Sequence, residues 1–466
     1  MQPDLLFLLC DTARADAFQP WGGRLETPEM SRLCREGAFY AEAVAQAPWT
    51  LPSTASMFTG KLPTEHGITG DCFRWDGGRP TSPAEAVRGY SGAWLPESLR
   101  ERGYRTWGAS CNTWISGWGG FDRGFDQFLD LRDRTRLPKG KFGTVLRRAR
   151  RMYGRVDRGG RRALEAFARE LRDAGRAPLF AFLNLMETHA PYDPPRPFYP
   201  FRFWERARTR RLSGGTTKAR RFLSYNARVA EPPPDYVRTV RSLYYHAARY
   251  EDWLLGRFVR LVERSGRPTA IVVVADHGEN LGEQGLFNHN SSLGQTLLHV
   301  PLVVGSRGVE VPAGRVDDPV PLLGLADWLR GMADGEPVSL GGNGRGIVSE
   351  YESTIRHNGI PADIQGRIES GDPSRVPPLV FHPGVAVRRG DLKYIAVEDG
   401  PEALYDLGSD PGETRNLIGE RPADAADFRA QRDEWVRRRA LQPQYAAGDR
   451  AEGEIADHLR ALGYIE

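Results

Sequence analysis

Apolar and polar positions alternate along the chain in blocks that predict short buried strands followed by helices. "DLLFLLCDTARAD" opens with an apolar run of strand length that gives way to polar residues at Asp11. "TPEMSRLCREG" then predicts a helix with Thr27 at the N-cap and Pro28 at its first position, followed by the alternating "AFYAEAVAQ". "LPESLRERGYRTWGASCN" repeats the order helix then strand, "PLFAFLNLMETHAPY" is a strand ending in polar residues, and "TAIVVVADHGEN" is the most strand-like segment. Strands alternating with helices imply an α/β fold with a largely parallel sheet covered on both faces.

Beyond Arg375 the style changes. "GVAVRRGDLKYIAVEDGPEALYDLGSDPGE" predicts antiparallel hairpins with turns at Asp399-Gly400 and Asp410-Pro411, and "DAADFRAQRDEWVRRRA" predicts a helix. The expected organisation is a catalytic α/β domain over 1–375 and a smaller α+β subdomain over 376–466. The polar, proline-bearing stretch from Gly359 to Pro378 is expected to be a linker or lid.

The polar residues that end the strands fall into one class of position. Asp11, Asn112, Glu187, His189, Asp276 and His277 all lie where an apolar run gives way to polar sequence. In open α/β sheets ligands bind at the carboxyl ends of strands. Thr50, in "APWTLPSTASMFTG", sits at or just before a helix start, because Pro52 biases Leu51 to extended backbone and Ser53 can cap the helix that "STASMFTG" would begin. A hydroxyl there is either a capping group or a nucleophile beside an anion favoured by the helix dipole.

Composition narrows the classes. The 466 residues are 40% hydrophobic and 27% charged with a net charge of +4, a globular balance that does not indicate a nucleic-acid binder. Two arginine-rich runs, from Arg132 to Arg162 and in "RFWERARTRRLSGGTTKARRF", are solvated faces or surfaces that attract an anionic substrate. Cys10, Cys34, Cys72 and Cys111 show no paired metal-ligand spacing and no disulfide framework. "LLFLLC" is too short to span a bilayer and lacks signal-peptide features, so a cytoplasmic protein is expected, with no transmembrane segment.

Carboxylates with an added imidazole suit a divalent cation, with Mn²⁺ or Zn²⁺ favoured over Ca²⁺ or Mg²⁺. Asp11, Asp276 and His277 are the candidate ligands, and Thr50 can join them, its hydroxyl activated without a neighbouring base. Taken singly, each has another reading: Asp11 a helix cap, Asp276 a turn residue, His277 a hydrogen-bonded imidazole. Glu187 and His289 are candidates for a second ion.

The ordered set "DLLFLLCDTARAD", "APWTLPSTASMFTGKLPTEHG", "GYRTWGASCN", "GGFDRGFDQF", "METHAPYDPP", "VVVADHGENLGEQGLFNHNSSLGQTLLHVPLVV", "DLKYIAVEDGPEALYDLGSDPGETRNL" and "LRALGYIE" resembles the sulfatase family of the alkaline phosphatase superfamily. The resemblance implies Asp11 as the first metal-binding aspartate, with Thr12 where a second aspartate often stands. It implies Asp276 and His277 as the late metal pair, Thr50 at the nucleophile position, and His189 as a contact to the anionic group. His289 falls near a basic substrate contact, and Lys393 lies in the small C-terminal subdomain, where it is expected to serve packing.

The departures bear on the chemistry. Sulfate-cleaving members mature a Cys or Ser into formylglycine within Cys/Ser-x-Pro-x-Arg, and here the letters are "TLPST". Threonine cannot give that aldehyde, so no formylglycine is expected. The Lys and His that members carry after "GYxT" are replaced near "SCNT", leaving Asn112 as a candidate substrate contact. Threonine nucleophiles occur in phosphate-directed relatives of the family. The expectation is therefore a metal-dependent hydrolase or transferase of a small anionic ester, a phosphate mono- or diester or a phosphonate, through a covalent Thr50 intermediate. The rivals are a sulfatase acting without formylglycine and a non-catalytic binding protein.

Overall fold

The structure is a computed structural model, and it describes residues 2–72, 75–76, 79–131, 157–213, 218–336, 339–341, 346–353, 360–442, 452–453 and 455–456. Most of the arginine-rich stretch, 132–156, and the final "LRALGYIE" lie outside the described residues. The elements that build the site are β1 (Asp4–Cys10), α1 (Pro28–Glu36), β2 (Ala38–Val44), α2 (Thr50–Thr59), β3 (Arg105–Ser110), β4 (Gln127–Asp130), α3 (Gly160–Asp173) and β5 (Leu179–Leu185). They continue with α4 (Tyr236–Ser265), β6 (Thr269–Val274), β7 (His299–Arg307), β8 (Gly314–Val316) and α5 (Gly324–Asp334). A smaller sheet follows: β9 (Ile347–Tyr351), β10 (Gly384–Arg389), β11 (Leu392–Val397), β12 (Glu402–Asp406) and the helix α6 (Pro422–Ala440).

The main sheet runs in the order β8-β2-β7-β6-β1-β5-β3-β4, with a further short pairing of Val320–Pro321 on β2. β1, β3, β4, β5 and β6 are mutually parallel, and β7 is the antiparallel insertion between β6 and β2. β1, β5 and β6 are buried along their whole lengths, which is why they read as unbroken apolar runs. Side chains alternate between faces. Phe58 of α2 meets Phe7 and Phe182, which pair across β1 and β5, whereas Phe167 of α3 meets Trp107, which pairs with Ala181. Because residues 181 and 182 point to opposite faces, α2 and α3 cover opposite sides of the sheet. The expected α/β sandwich is the one found, with one antiparallel strand in the parallel sheet.

The small sheet has the antiparallel order β9-β10-β11-β12, so its first strand lies ahead of residue 376. Its core of Val385, Val387, Tyr394, Ala396 and Leu404 packs on Phe428 and Trp435 of α6. Hydrogen bonds tie it to the segment after β2, Ser349 Oγ–H donating to Ala45 O at 2.6 Å and Glu350 N–H to Gln46 O at 2.8 Å, and Arg388 donates to Glu42 of β2 at 2.7 Å. Part of the stretch from Gly359 to Pro378 is the helix Ala362–Glu369.

Lys393 is only 1% exposed, and its ammonium does more than fill space. It donates to Leu293 O at 2.6 Å and Glu413 Oε1 at 2.6 Å, while Glu413 Oε2 accepts from Gln295 N–H at 2.6 Å. The pair therefore fastens the small sheet to the loop that follows His289. Removing one partner of a buried ion pair strands the other charge, at about 3–5 kcal/mol. Lys393→Met is expected to lower stability by that order in chemical unfolding, and Lys393→Met with Glu413→Leu should recover a large part of the loss.

Candidate active site

The register of the parallel strands levels their carboxyl ends: Leu9 lies beside Val274, Cys10 beside Leu185, and Ser110 beside Asn184. Asp11, Asn112, His189, Asp276 and His277 therefore leave the sheet at one edge. β2 runs parallel to β6 through its shared antiparallel neighbour β7, so the segment after Val44 delivers α2 to the same edge. α2 starts at Thr50 itself, four residues earlier than capping by Ser53 would give. Pro52 is accommodated in the first turn, where its missing N–H is not needed. Ser53 Oγ–H instead donates to Asp276 O at 2.6 Å, tying the helix to the end of β6.

Asp11, Asp276 and His277, all fully buried, place one ligand atom each within 4.8 Å of the others. Each carboxylate commits one oxygen to the chain. Asp11 Oδ2 accepts from Asn112 Nδ2 at 2.6 Å, and Asp276 Oδ1 accepts from the N–H groups of Thr12 at 3.1 Å and His277 at 2.9 Å. The other oxygens, Asp11 Oδ1 and Asp276 Oδ2, are buried with no hydrogen-bond partner. His277 Nδ1 lies 2.8 Å from Gly278 O, a pure acceptor, so Nδ1 carries the proton and Nε2 presents its lone pair. Nε2 faces Asp276 Oδ2 at 3.5 Å and Thr50 Oγ1 at 3.2 Å. Two orphaned carboxylate oxygens, an unprotonated imidazole nitrogen and a hydroxyl directed at it form a donor set that fits a divalent cation.

Electrostatics point the same way. Burial raises the Asp11 pKa to about 6 against the hydrogen bond from Asn112, and burial with repulsion from Asp11 raises that of Asp276. Burial, with His289 adding to it, lowers the His277 pKa and keeps the ring neutral. Such a site holds two buried like charges that a cation would neutralise. The backbone is shaped to it. Thr12 sits at φ 62°, an uncommon conformation for a β-branched residue, and thereby turns its N–H onto Asp276. A Cβ on Gly278 would lie 2.0 Å from Thr296 O, so the residue after His277 has to be glycine.

Around this centre stand two further imidazoles. The His289 ring is 4.7 Å from that of His277 and 5.2 Å from that of His189, and His289 Nδ1 is 3.4 Å from the buried Glu279 Oε1. Asn112 is fully buried and spends its amide on Asp11 and on the Trp114 N–H, so it orients Asp11 in place of reaching outward. Glu187 is not brought to the cluster: its carboxylate accepts from the N–H groups of Arg158 and Gly160 at the start of α3. Sequence reasoning passed over Asn184, whose Nδ2 lies 3.4 Å from Asp11 Oδ2, although a lone amide inside "LFAFLNL" was a visible signal. It also passed over Glu251 of α4, which accepts from Thr188 Oγ1 at 2.8 Å beneath Asp11.

The sulfatase family model matches residues 3–327. The chain belongs to the sulfatase family. A sulfatase of Formosa agariphila is 24% identical over 448 residues, covering 89% of this chain and 83% of that protein. Phosphonate monoester hydrolase of Agrobacterium radiobacter has a fold similar to this sulfatase-family chain, with a TM-score of 0.64 at 16% identity, over 95% of this chain and 96% of that one. BT4656, solved with its substrate D-glucosamine-2-N,6-O-disulfate, has a TM-score of 0.64 at 16% identity, over 95% of this chain and 99% of that one. Sulfatases and phosphonate monoester hydrolases thus share this architecture.

In metal-stripped protein the raised Asp11 pKa has a stability consequence of definite sign. The native state keeps a proton that the unfolded chain releases near 3.8, so this contribution is favourable at low pH and is lost as pH rises towards about 6. Chemical unfolding of chelated protein across that window should show stability falling more steeply in the parent than in Asp11→Asn. Added Mn²⁺ or Zn²⁺ should raise the Tm of the parent at pH 7 and leave that of Asp11→Asn unmoved.

Proposed function

We propose that this sulfatase-family chain is a metal-dependent hydrolase or transferase that cleaves a phosphate mono- or diester or a phosphonate ester, with Thr50 as nucleophile. The supporting observation is the position of Thr50 Oγ1, 3.2 Å from His277 Nε2 at the first position of α2, among the donors of the cation-fitting cluster. A divalent cation held by Asp11, Asp276 and His277, preferably Mn²⁺ or Zn²⁺, would withdraw charge from the ester and favour the Thr50 alkoxide. Thr50 Oγ attacks phosphorus, the bond to the ester oxygen breaks, and the leaving alcohol departs with a proton. Water or an acceptor alcohol then breaks the Oγ–P bond and restores the hydroxyl.

The positive end of α2 favours the anionic group beside Thr50, and in this reading His189 and His289, whose rings lie beside that of His277 or of each other, contact its oxygens. The chain does not need formylglycine for this route, since the threonine hydroxyl is itself the attacking group. Four cysteines without disulfides fit a reducing compartment, the cytoplasm. No helix among the described residues is long and apolar enough to cross a membrane.

A second reading is sulfate-ester cleavage by the same residues. It is favoured by the likeness to the Formosa agariphila sulfatase and to BT4656, whose substrate is a disulfated glucosamine. The two readings separate on matched aryl phosphates, phosphodiesters, phosphonates and sulfates. Under the phosphoryl reading the parent turns over the phosphorus esters faster, Thr50→Ser stays within about tenfold, and Thr50→Ala loses at least about a thousandfold in kcat while keeping its metal. Intact mass after exposure to each ester should show a phospho adduct on the parent. Turnover by Thr50→Ala at the parental rate would remove Thr50 from the chemistry, and preferential cleavage of aryl sulfates would establish the second reading.

A further inference from the structure

Apart from the strand-end centre, the fold gathers positive charge at a second place. Helix Ala362–Glu369 packs Ile364 and Ile368 against Ala227, which follows helix Lys218–Asn226. Beside this contact lies a pocket of about 280 Å³ whose lining includes Arg228, Arg367, Arg375, Ser370, Gly371 and Asp372. Three arginines thus line one small volume together with one acid. That carboxylate is engaged locally, Asp372 Oδ1 accepting from Ser374 N–H at 3.1 Å and Ser374 Oγ–H at 2.6 Å. Among the described residues, none of the three arginines makes an ion pair within 4.0 Å.

Two of the three arginines are positioned by neutral backbone. Arg228, at φ 59°, donates to Gly285 O at 2.5 Å and to Gln284 O, and Arg367 donates to Val229 O. Carbonyls fix these side chains without cancelling their charge. Burial lowers the Arg228 pKa, and Arg375 adds to the effect against the opposing pull of Glu231. Arg367 and Arg375 are exposed, so a solute can reach the pocket. Asp372 and Glu231 offset part of the charge, and the three arginines keep a positive balance that matches the oxygens of a tetrahedral anion.

We propose that the pocket formed by Arg228, Arg367 and Arg375 binds a tetrahedral oxyanion, a sulfate or phosphate group, separately from the centre at Thr50. Its place in the fold links it to that centre. Arg228 holds the Gln284–Gly285 turn, and Asn226 holds Phe287 through both its amide groups, at 2.9 and 3.0 Å. The turn and Phe287 belong to the segment that runs from His277 to His289. The oxyanion is either a second anionic group of the ester substrate or a free inorganic anion. Its binding does not depend on what Thr50 does.

Inorganic sulfate and phosphate, titrated calorimetrically into the full chain and into Arg367→Ala/Arg375→Ala, test the site. Both replaced side chains are exposed, and the unfolding midpoint in anion-free buffer checks that the variant folds as the parent does. The expected result is one binding event weakened by at least about tenfold in the variant, with partial recovery in Arg367→Lys/Arg375→Lys. Equal stoichiometry and affinity in parent and variant would overturn the proposal, as would absence of any anion binding in the parent. The source is read from KM values for aryl esters with and without a second sulfate or phosphate. A rise confined to the doubly anionic ester makes the ligand part of the substrate, whereas unchanged KM values with the calorimetric site lost make it a free anion.

Discussion

Asp11 and Asp276 are two carboxylates that the sheet forces together in a region from which solvent is excluded. β1 and β6 are adjacent and parallel, so the residues following them emerge side by side, and repulsion between buried like charges is built into the register. Much of the surrounding chain can be understood as managing that constraint. Asn112 and Asn184 converge on one oxygen of Asp11, and two backbone N–H groups satisfy one oxygen of Asp276. The left-handed backbone at Thr12 and the bare Cα of Gly278 are local distortions that this arrangement requires. What the chain leaves unsatisfied is one oxygen on each acid, and that of Asp276 lies 3.5 Å from His277 Nε2.

The order of elements was legible because central parallel strands are buried on both faces and so appear as unbroken apolar runs, each stopping at a polar residue. "TAIVVVADHGEN" and "DLLFLLCDTARAD" needed no context to be read as strand followed by site. The antiparallel course of β7 was not legible, since "HVPLVV" is equally apolar in either direction. Nor was the role of Ser53, because a serine after proline looks like a cap, and only the tertiary position of Asp276 O reveals its true acceptor. Asn112 illustrates the same limit. Its place after a strand was readable, but whether its amide faces a ligand or a neighbouring carboxylate is decided by a partner 101 positions away. Glu251 escaped notice because an acid within a long helix looks solvated until the helix face is known.

The small antiparallel sheet is more than an appendage to this arrangement. Its Lys393, with Glu413, grips the loop beyond His289, and its first strand is hydrogen-bonded to the segment that leads into α2. Two of the groups around the centre, Thr50 and His289, are thus braced from the same outside structure. His189 is held differently, through Nδ1 against Ala190 O at 2.7 Å on the loop after β5. His189 thus comes from a different support than His277 and His289, which share one segment, so the geometry among the three rings reflects packing across the domain.

All ten residues of α2, from Thr50 to Thr59, are buried, and Phe58 within it is wedged among Phe7, Trp94, Phe121 and Phe182. A helix enclosed on every side has nowhere to slide or tilt, so the Thr50 hydroxyl is as immobile as the sheet itself. Under the proposed reading a substrate cannot be met halfway by this residue: the hydroxyl is a fixed coordinate to which the ester has to be brought.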